Sequence, residues 1–164
     1  MIIYHGSNVA VEKPKILPGE RMLDFGVGFY TTENKEQAIR WTEKVAERRK
    51  NKDQIITVYK FDIEKAECQL NVIRFTEPCG EWLDFVCDCR RGRDPAKPYD
   101  IVFGPVADDQ VYSVVQFYEN GVYDKEYAIR RLKVDGLYNQ ILFHTEKSLE
   151  YCLFARYEKL GGAT

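Results

Sequence analysis

Seven segments rich in β-branched and aromatic residues are spread along the chain, and helical patterns interrupt them at irregular intervals. These segments cover residues 1–5, 28–32, 55–63, 69–75, 99–106, 139–145 and 153–160. A doubly wound parallel sheet needs strands and helices in regular alternation, which this order lacks. The pattern therefore predicts a mixed α+β fold. A length of 164 residues fits one domain, residues 1–164.

Helix starts are marked by capping residues. Asn34 with Gln37 three residues later predicts a capped helix, and its 3.6-residue spacing predicts a buried stripe at Ala38, Trp41, Thr42 and Val45. Pro78 is expected in the first turn of another helix, with Trp82 and Phe85 in its core side. Asp108 and Asp124 are predicted to cap two more.

Charge and hydropathy limit the compartment and the class of ligand. A net charge of −2 disfavours a non-specific nucleic-acid binder, so the basic stretches 48–52 and 90–97 are interpreted as solvated loops. No apolar run reaches the length of a membrane helix, and the opening MIIYHGSNV lacks the basic region of a signal peptide. We expect a soluble, cytoplasmic protein without membrane contact.

The cysteines agree with a reducing compartment. Five cysteines, an odd number, without a secretion signal predict free thiols. Cys87 and Cys89 point about 200° apart on a helix, so they do not chelate one ion together. Only two histidines are present to complete a zinc site. We therefore expect no metal centre.

Three short segments carry polar groups at predicted strand ends. They are YHGS at 4–7, GFYTT at 28–32 and YNQILFHT at 138–145. Each alone has an ordinary structural interpretation: a satisfied histidine at His5, a core ring at Tyr30 and an exposed strand start at Gln140. Gly6 lets a ligand approach bare backbone groups.

In this order, YHGS, GFYTT and QILF resemble the three motifs of the ADP-ribosyltransferase superfamily, in its His-Tyr-Glu branch. Within that superfamily the chain is similar to a bacterial domain family of uncharacterised function that carries YHGS, DFGxGFYTT, GPVADD and QIxFHT. The match runs from Tyr4 to about Phe154. This resemblance implies a split, mostly antiparallel β-sheet with peripheral helices and a cleft that binds NAD.

The resemblance also implies roles for individual residues. His5 would bond the adenine-side ribose, the Gly6 backbone would hold the nicotinamide carboxamide, and the Tyr30 ring would stack on the nicotinamide. The loop containing Arg21 and Asp24 would lie over the phosphates, with Arg21 supplying the charge. The other residues implied to line the NAD site are Tyr4, Ser7, Phe29 and Thr31.

Gln140 stands where the family has a catalytic glutamate. A glutamine still accepts a hydrogen bond from a ribose hydroxyl, but it brings no charge to stabilise the oxocarbenium-like transition state. Loss of one such stabiliser typically costs about 10²–10³ in rate. Asp108, Asp109 and Glu146 remain alternative sources of the carboxylate. Elongation of an ADP-ribose chain, which uses that glutamate, is disfavoured.

The resemblance thus implies an NAD-dependent mono-ADP-ribosyltransferase without a metal, with Gln140, Tyr30 and His5 at the catalytic centre. The acceptor is left open between protein, nucleic acid and small molecule. Two alternatives share the pocket: an NAD glycohydrolase, and an inactive module that binds NAD or a partner. Small bacterial transferases of this kind are often toxins or effectors, which by analogy implies a neutralising protein partner.

Overall fold

The computed structural model describes residues 1–18, 23–50, 53–93, 98–105, 109–133 and 139–161. Within these residues the chain forms seven strands and six helices. The strands are β1 (Ile2–Ser7), β2 (Phe29–Thr32), β3 (Gln54–Phe61), β4 (Val72–Arg74), β5 (Ile101–Pro105), β6 (Asn139–Phe143) and β7 (Cys152–Leu160). The helices are α1 (Lys35–Arg49), α2 (Ile63–Gln69), α3 (Gly80–Arg90), α4 (Asp109–Glu119), α5 (Lys125–Leu132) and α6 (Glu146–Leu149).

All the described strands join one sheet, in the order β4-β5-β6-β2-β1-β3-β7. The β4–β5 pair is parallel, and the other neighbouring pairs are antiparallel. The predicted mixture of strands and helices without regular alternation is confirmed. The sheet itself is mixed.

Two predicted strands are wrong at their ends, because the structure places a helix between them. β3 stops at Phe61, and the Asp62 side chain accepts a hydrogen bond from Lys65 N to cap α2. That helix continues to Gln69, where a strand was expected. A local cap has therefore overridden the β propensity of the flanking residues.

The predicted helix starts are partly confirmed. Asn34 and Asp124 both cap their helices through side-chain oxygens, at 3.0 and 2.7 Å from the nitrogens they accept from. Pro78 lies before α3 rather than in its first turn, since the helix starts at Gly80 after the cap residue Cys79. Asp108 lies outside the described residues.

The two faces of the sheet carry separate cores. We call the face bearing Tyr4, Tyr30 and Leu142 the front face, and the face bearing Ile3, Phe29 and Phe143 the back face. Helices α3, α4 and α5 cover the front face over β5 and β6, whereas α1 covers it over β1 and β3. The back face is covered by α2, α6 and the segment 8–18.

The predicted burial of individual core residues is confirmed only in part. Trp82 is fully buried in the front core, with Phe85 half-buried against it. On α1, Ala38 and Thr42 are buried as predicted. Trp41 and Val45 are only half-buried, because the buried side of this helix passes through Gln37 and Ala46 instead.

Candidate functional site

The three sequence motifs lie side by side in the middle of the sheet. YHGS ends β1, GFYTT enters β2, and QILF forms most of β6. These strands are consecutive neighbours in the order β6-β2-β1. The three segments, which are far apart in the chain, therefore meet at one place in the fold.

The pairing of β1 with β2 is confined to one register position, Tyr4 opposite Thr32. Beyond Tyr4, starting at the next residue, His5, the backbone ladder between the two strands is not continued. There the imidazole Nδ1 of His5 lies 2.8 Å from the carbonyl oxygen of Tyr30. A side chain thus replaces the backbone donor that a continued ladder would supply, and it does so between YHGS and GFYTT.

The chemistry of His5 follows from this contact. A carbonyl oxygen only accepts, so Nδ1 carries the proton and Nε2 of the neutral ring is an acceptor. Burial lowers the pKa of His5; the bond to Tyr30 raises it, and the nearby Arg49 cation lowers it further. The ring is therefore neutral at pH 7. It packs on the back face with its centroid 4.5 Å from that of Phe29.

The ring of Tyr30 lies on the other side of β2, against the front core. Its hydroxyl donates to Gly26 O at 2.7 Å and accepts from Phe25 N at 3.1 Å. Burial raises the pKa of Tyr30 well above its ordinary value, so the phenol keeps its proton. The hydroxyl therefore holds the preceding loop, and the ring packs against the front core.

The loop of residues 23–28, which contains the DFG string, is fixed by side chains from several directions. Asp24 pairs with Arg90 of α3 at 2.6 Å, with both side chains largely buried. Tyr99 donates to Phe25 O at 2.8 Å. The Nδ1 atom of His144 lies 2.6 Å from Val27 O. Asp24 therefore forms an internal ion pair, and the expected place of its loop over the phosphates stays a prediction.

Gly6 is required by packing. A Cβ placed there would lie 2.1 Å from the carbonyl oxygen of Ala38 and 3.1 Å from the nitrogen of Thr42. The backbone of α1 therefore rests directly on β1 at this residue. On the front face, packing of α1 is therefore enough to explain the glycine. The explanation from the sequence was that a ligand approaches bare backbone at Gly6.

Gln140 is buried on the front face, with 3 % of its surface exposed. Its neighbours in register are Thr32 on β2 and Gly104 on β5. Its Nε2 atom is buried and has no hydrogen-bond partner. Gln140 thus shares the front face with Tyr30, while His5 lies on the back face.

A second buried amide, Gln37, was not recognised from the sequence as part of this region. Its Oε1 accepts from the Thr32 hydroxyl at 2.7 Å, and the same hydroxyl accepts from Asn34 N at 3.1 Å. The expected reciprocal cap between Asn34 and Gln37 is therefore formed in part by Thr32. Nothing in the spacing distinguishes a buried glutamine from a capping one.

Two of the residues that carry the alternative carboxylates, Glu146 and Asp109, lie toward opposite ends of β6. Glu146 accepts from Ile16 N at 2.9 Å and lies beyond the opposite end of β6 from Gln140. Asp109 begins α4, four residues after Pro105, which pairs with the residue next to Gln140. Four residues span at most about 14 Å. Asp108 lies outside the described residues.

The remaining predicted ligand residues have these positions. Ser7 and Thr31 are buried, and the Thr31 hydroxyl donates to Ile141 O at 3.2 Å. Tyr4 is half-buried and packs with α1. Arg21 lies outside the described residues.

Within the described parts of the chain, no group of three His, Cys, Asp or Glu side chains is arranged to hold a metal ion. No helix there is both long and apolar enough to cross a membrane. The five cysteines are free thiols, with Cys87 and Cys89 both buried in α3. Burial raises the pKa of Cys87 to about 12, and the Glu119 charge adds to the shift, so this thiol is not an activated nucleophile.

A comparison with protein families matches residues 1–154 to the model described as a protein of unknown function (DUF3990). The chain belongs to the DUF3990 family. The match covers β1, β2 and β6, and it ends within β7. No curated protein and no solved structure matches.

Proposed function

We propose that this domain is an NAD-dependent mono-ADP-ribosyltransferase. One observation carries the proposal: the YHGS, GFYTT and QILF segments occupy adjacent strands, with the His5 imidazole bridging to Tyr30 where the β1–β2 ladder stops. An interrupted ladder at this point is what the split sheet of that superfamily leads one to expect. NAD is the substrate.

The site residues suit a neutral, hydrogen-bonding role. His5 presents Nε2 as an acceptor for an adenine-side ribose hydroxyl, because Nδ1–H is engaged with Tyr30. The Tyr30 ring, with its hydroxyl held by the loop, offers a face for the nicotinamide. Gln140 lies at the position of the family glutamate, next to the ribose in this proposal.

The reaction breaks the bond between the nicotinamide nitrogen and the ribose C1′. The bonding electron pair leaves with the ring, which becomes neutral nicotinamide. A nucleophile on the acceptor forms the new bond to C1′ and releases its proton to the solvent. If water is the acceptor, the same step is NAD hydrolysis, and mass spectrometry separates the two through free ADP-ribose or an adduct.

A binding module without catalysis is the second candidate, and Gln140 favours it. The amide is neutral and buried, so it does not stabilise positive charge on the ribose as a carboxylate does. Gln140→Glu tests this candidate: turnover in the variant and none in the wild type would establish it. Loss of measurable wild-type turnover in Gln140→Ala would exclude it.

The proposal is tested by incubating the purified chain with NAD and acceptor mixtures and measuring nicotinamide release, with NAD affinity from calorimetry. Two variants test separately the two ring nitrogens of His5. His5→Asn keeps a donor at the Nδ1 position for Tyr30 O but removes the Nε2 acceptor, and His5→Gln does the reverse. His144→Asn is the matched control, because His144 also contacts a backbone carbonyl through Nδ1.

We expect His5→Asn to fold like the wild type but to bind NAD about tenfold more weakly, as for a lost hydrogen bond of about 1.5 kcal/mol. His144→Asn should retain wild-type affinity. The proposal fails if nicotinamide is not released and NAD does not bind at millimolar concentration. Equal affinities for His5→Asn and the wild type would remove His5 from the site.

A further inference from the structure

The amide of Gln140 has an unused hydrogen-bond donor inside the protein. Its Nε2 atom is buried and without a partner, in a side chain with 3 % exposure. A buried donor that has lost water and gained no acceptor is costly and uncommon in native structures. Such a group is free to donate to a ligand oxygen.

The neighbouring polar groups do not supply that partner. The Thr32 hydroxyl, beside Gln140 in register, already contacts Gln37 Oε1 and Asn139 O at 2.7 and 2.9 Å. On the other side, Gly104 has no side chain, and its Cβ position is closed by the Phe25 ring at 2.8 Å. The donor therefore has apolar surroundings on one side and a satisfied hydroxyl on the other.

We propose, resting on the function proposed above, that Gln140 Nε2–H donates to a ribose hydroxyl oxygen and that the site takes free ADP-ribose as a ligand about as well as NAD. NAD differs from ADP-ribose at this end by its cationic ring. A carboxylate would attract that cation and favour NAD. A neutral amide gives no such preference, and its N–H serves the ribose of both molecules.

At the start of β6, Asn139 is exposed and Gln140 beside it is buried, so the Gln140 amide lies one residue inside the protein surface. A ribose hydroxyl is small and both donates and accepts. The hydroxyl oxygen can therefore accept the hydrogen bond that Gln140 Nε2–H does not make inside the protein.

The test is calorimetry with NAD and with ADP-ribose on the wild type, Gln140→Leu and Gln140→Glu. We expect wild-type Kd values for the two ligands within threefold of each other. Gln140→Leu should weaken both about tenfold, since it removes the donor at similar volume. Gln140→Glu should shift the ratio of Kd values toward NAD by about tenfold, through attraction to the cationic ring.

The matched control is Gln37→Leu, which removes the other buried amide, the one with an internal partner. It should lower the free energy of unfolding and leave the ratio of Kd values unchanged. If Gln140→Leu does not fold, the ratio measured for Gln140→Glu decides the question.

The outcomes separate the two proposals. NAD binding that depends on His5, together with unchanged affinities in Gln140→Leu, overturns the inference and leaves the transferase proposal standing. In that case the amide bonds an internal water. A wild-type preference for NAD of tenfold or more also overturns the inference. Failure of both ligands to bind the wild type refutes the proposed function itself.

Discussion

Replacing Gly6 by alanine should separate the structural role of this residue from its proposed ligand role. The new Cβ would lie 2.1 Å from Ala38 O, whereas ordinary van der Waals contact begins at 3.4 Å. Both close neighbours, the carbonyl of Ala38 and the nitrogen of Thr42, are helix backbone atoms. Relief therefore requires α1 to move by about 1.3 Å as a unit, because no side chain can rotate away.

Overpacking of this kind costs about 1–3 kcal/mol, and backbone neighbours put Gly6→Ala at the upper end, about 3 kcal/mol. For a chain of 164 residues, this corresponds to a decrease in Tm of about 6–12 °C. The displaced helix also carries Gln37, which bonds Thr32 beside Gln140. NAD affinity should therefore fall together with stability.

The assay is urea unfolding followed by circular dichroism, with Gly80→Ala as the matched control. A Cβ at Gly80 would meet the flexible Lys125 side chain at 3.3 Å, and the residue is in a helix, where alanine is favoured over glycine by up to about 1 kcal/mol. The control should be neutral or stabilising. A Gly6→Ala protein as stable as the wild type would refute the close approach of α1.

Four further substitutions or conditions test the site and its frame. Arg90→Ala removes the buried cation that pairs with Asp24 at 2.6 Å, and urea unfolding should show a loss of about 3 kcal/mol. Tyr30→Phe should cost about 1–2 kcal/mol of stability while the calorimetric Kd for NAD stays within twofold, since the ring is kept. For Asp100, burial opposes ionisation, but hydrogen bonds from a backbone nitrogen, a hydroxyl and a lysine outweigh it and lower its pKa. Its contribution is therefore lost as pH falls through that lowered pKa, and Asp100→Asn should be less stable at pH 7 and less sensitive to acid. Because its pKa is lowered, His5 should stay neutral above pH 6.5, and calorimetry should show NAD binding weakening only in more acidic buffer, where Nε2 becomes a donor.

The sequence predicts the class of the fold because local signals specify its elements. Asn34 and Asp124 cap their helices as expected, and the β-rich segments at 1–5 and 139–145 are strands with shifted ends. The helix α2 was missed because its start depends on one aspartate, Asp62, within a stretch of high β propensity. The position of β6 between β5 and β2 depends on long-range pairing, which periodicity does not encode.

For the site, the sequence identifies residue types, and the fold decides which face each one occupies. His5 and Tyr30 were expected in one pocket, but their rings lie on opposite faces of the sheet, and their contact runs from the imidazole to the Tyr30 carbonyl. Arg90 belongs to a basic stretch interpreted as solvated, yet it forms a buried pair with Asp24. Burial of one arginine among several depends on a partner 66 residues away, so no local pattern reveals it.

The described groups proposed to contact NAD are neutral at pH 7. Burial lowers the pKa of the His5 imidazole and raises that of the Tyr30 phenol, and the Gln140 amide does not titrate. Recognition in the proposed site must therefore depend on hydrogen bonds and stacking, whose strength depends on geometry. That geometry is fixed from both sides of the β1–β2 junction: α1 rests on Gly6, and the loop 23–28 is held by side chains of other elements. A rigid frame around neutral donors and acceptors selects the shape and hydroxyl pattern of a ligand rather than its charge, and this is why ADP-ribose and NAD should compete on nearly equal terms.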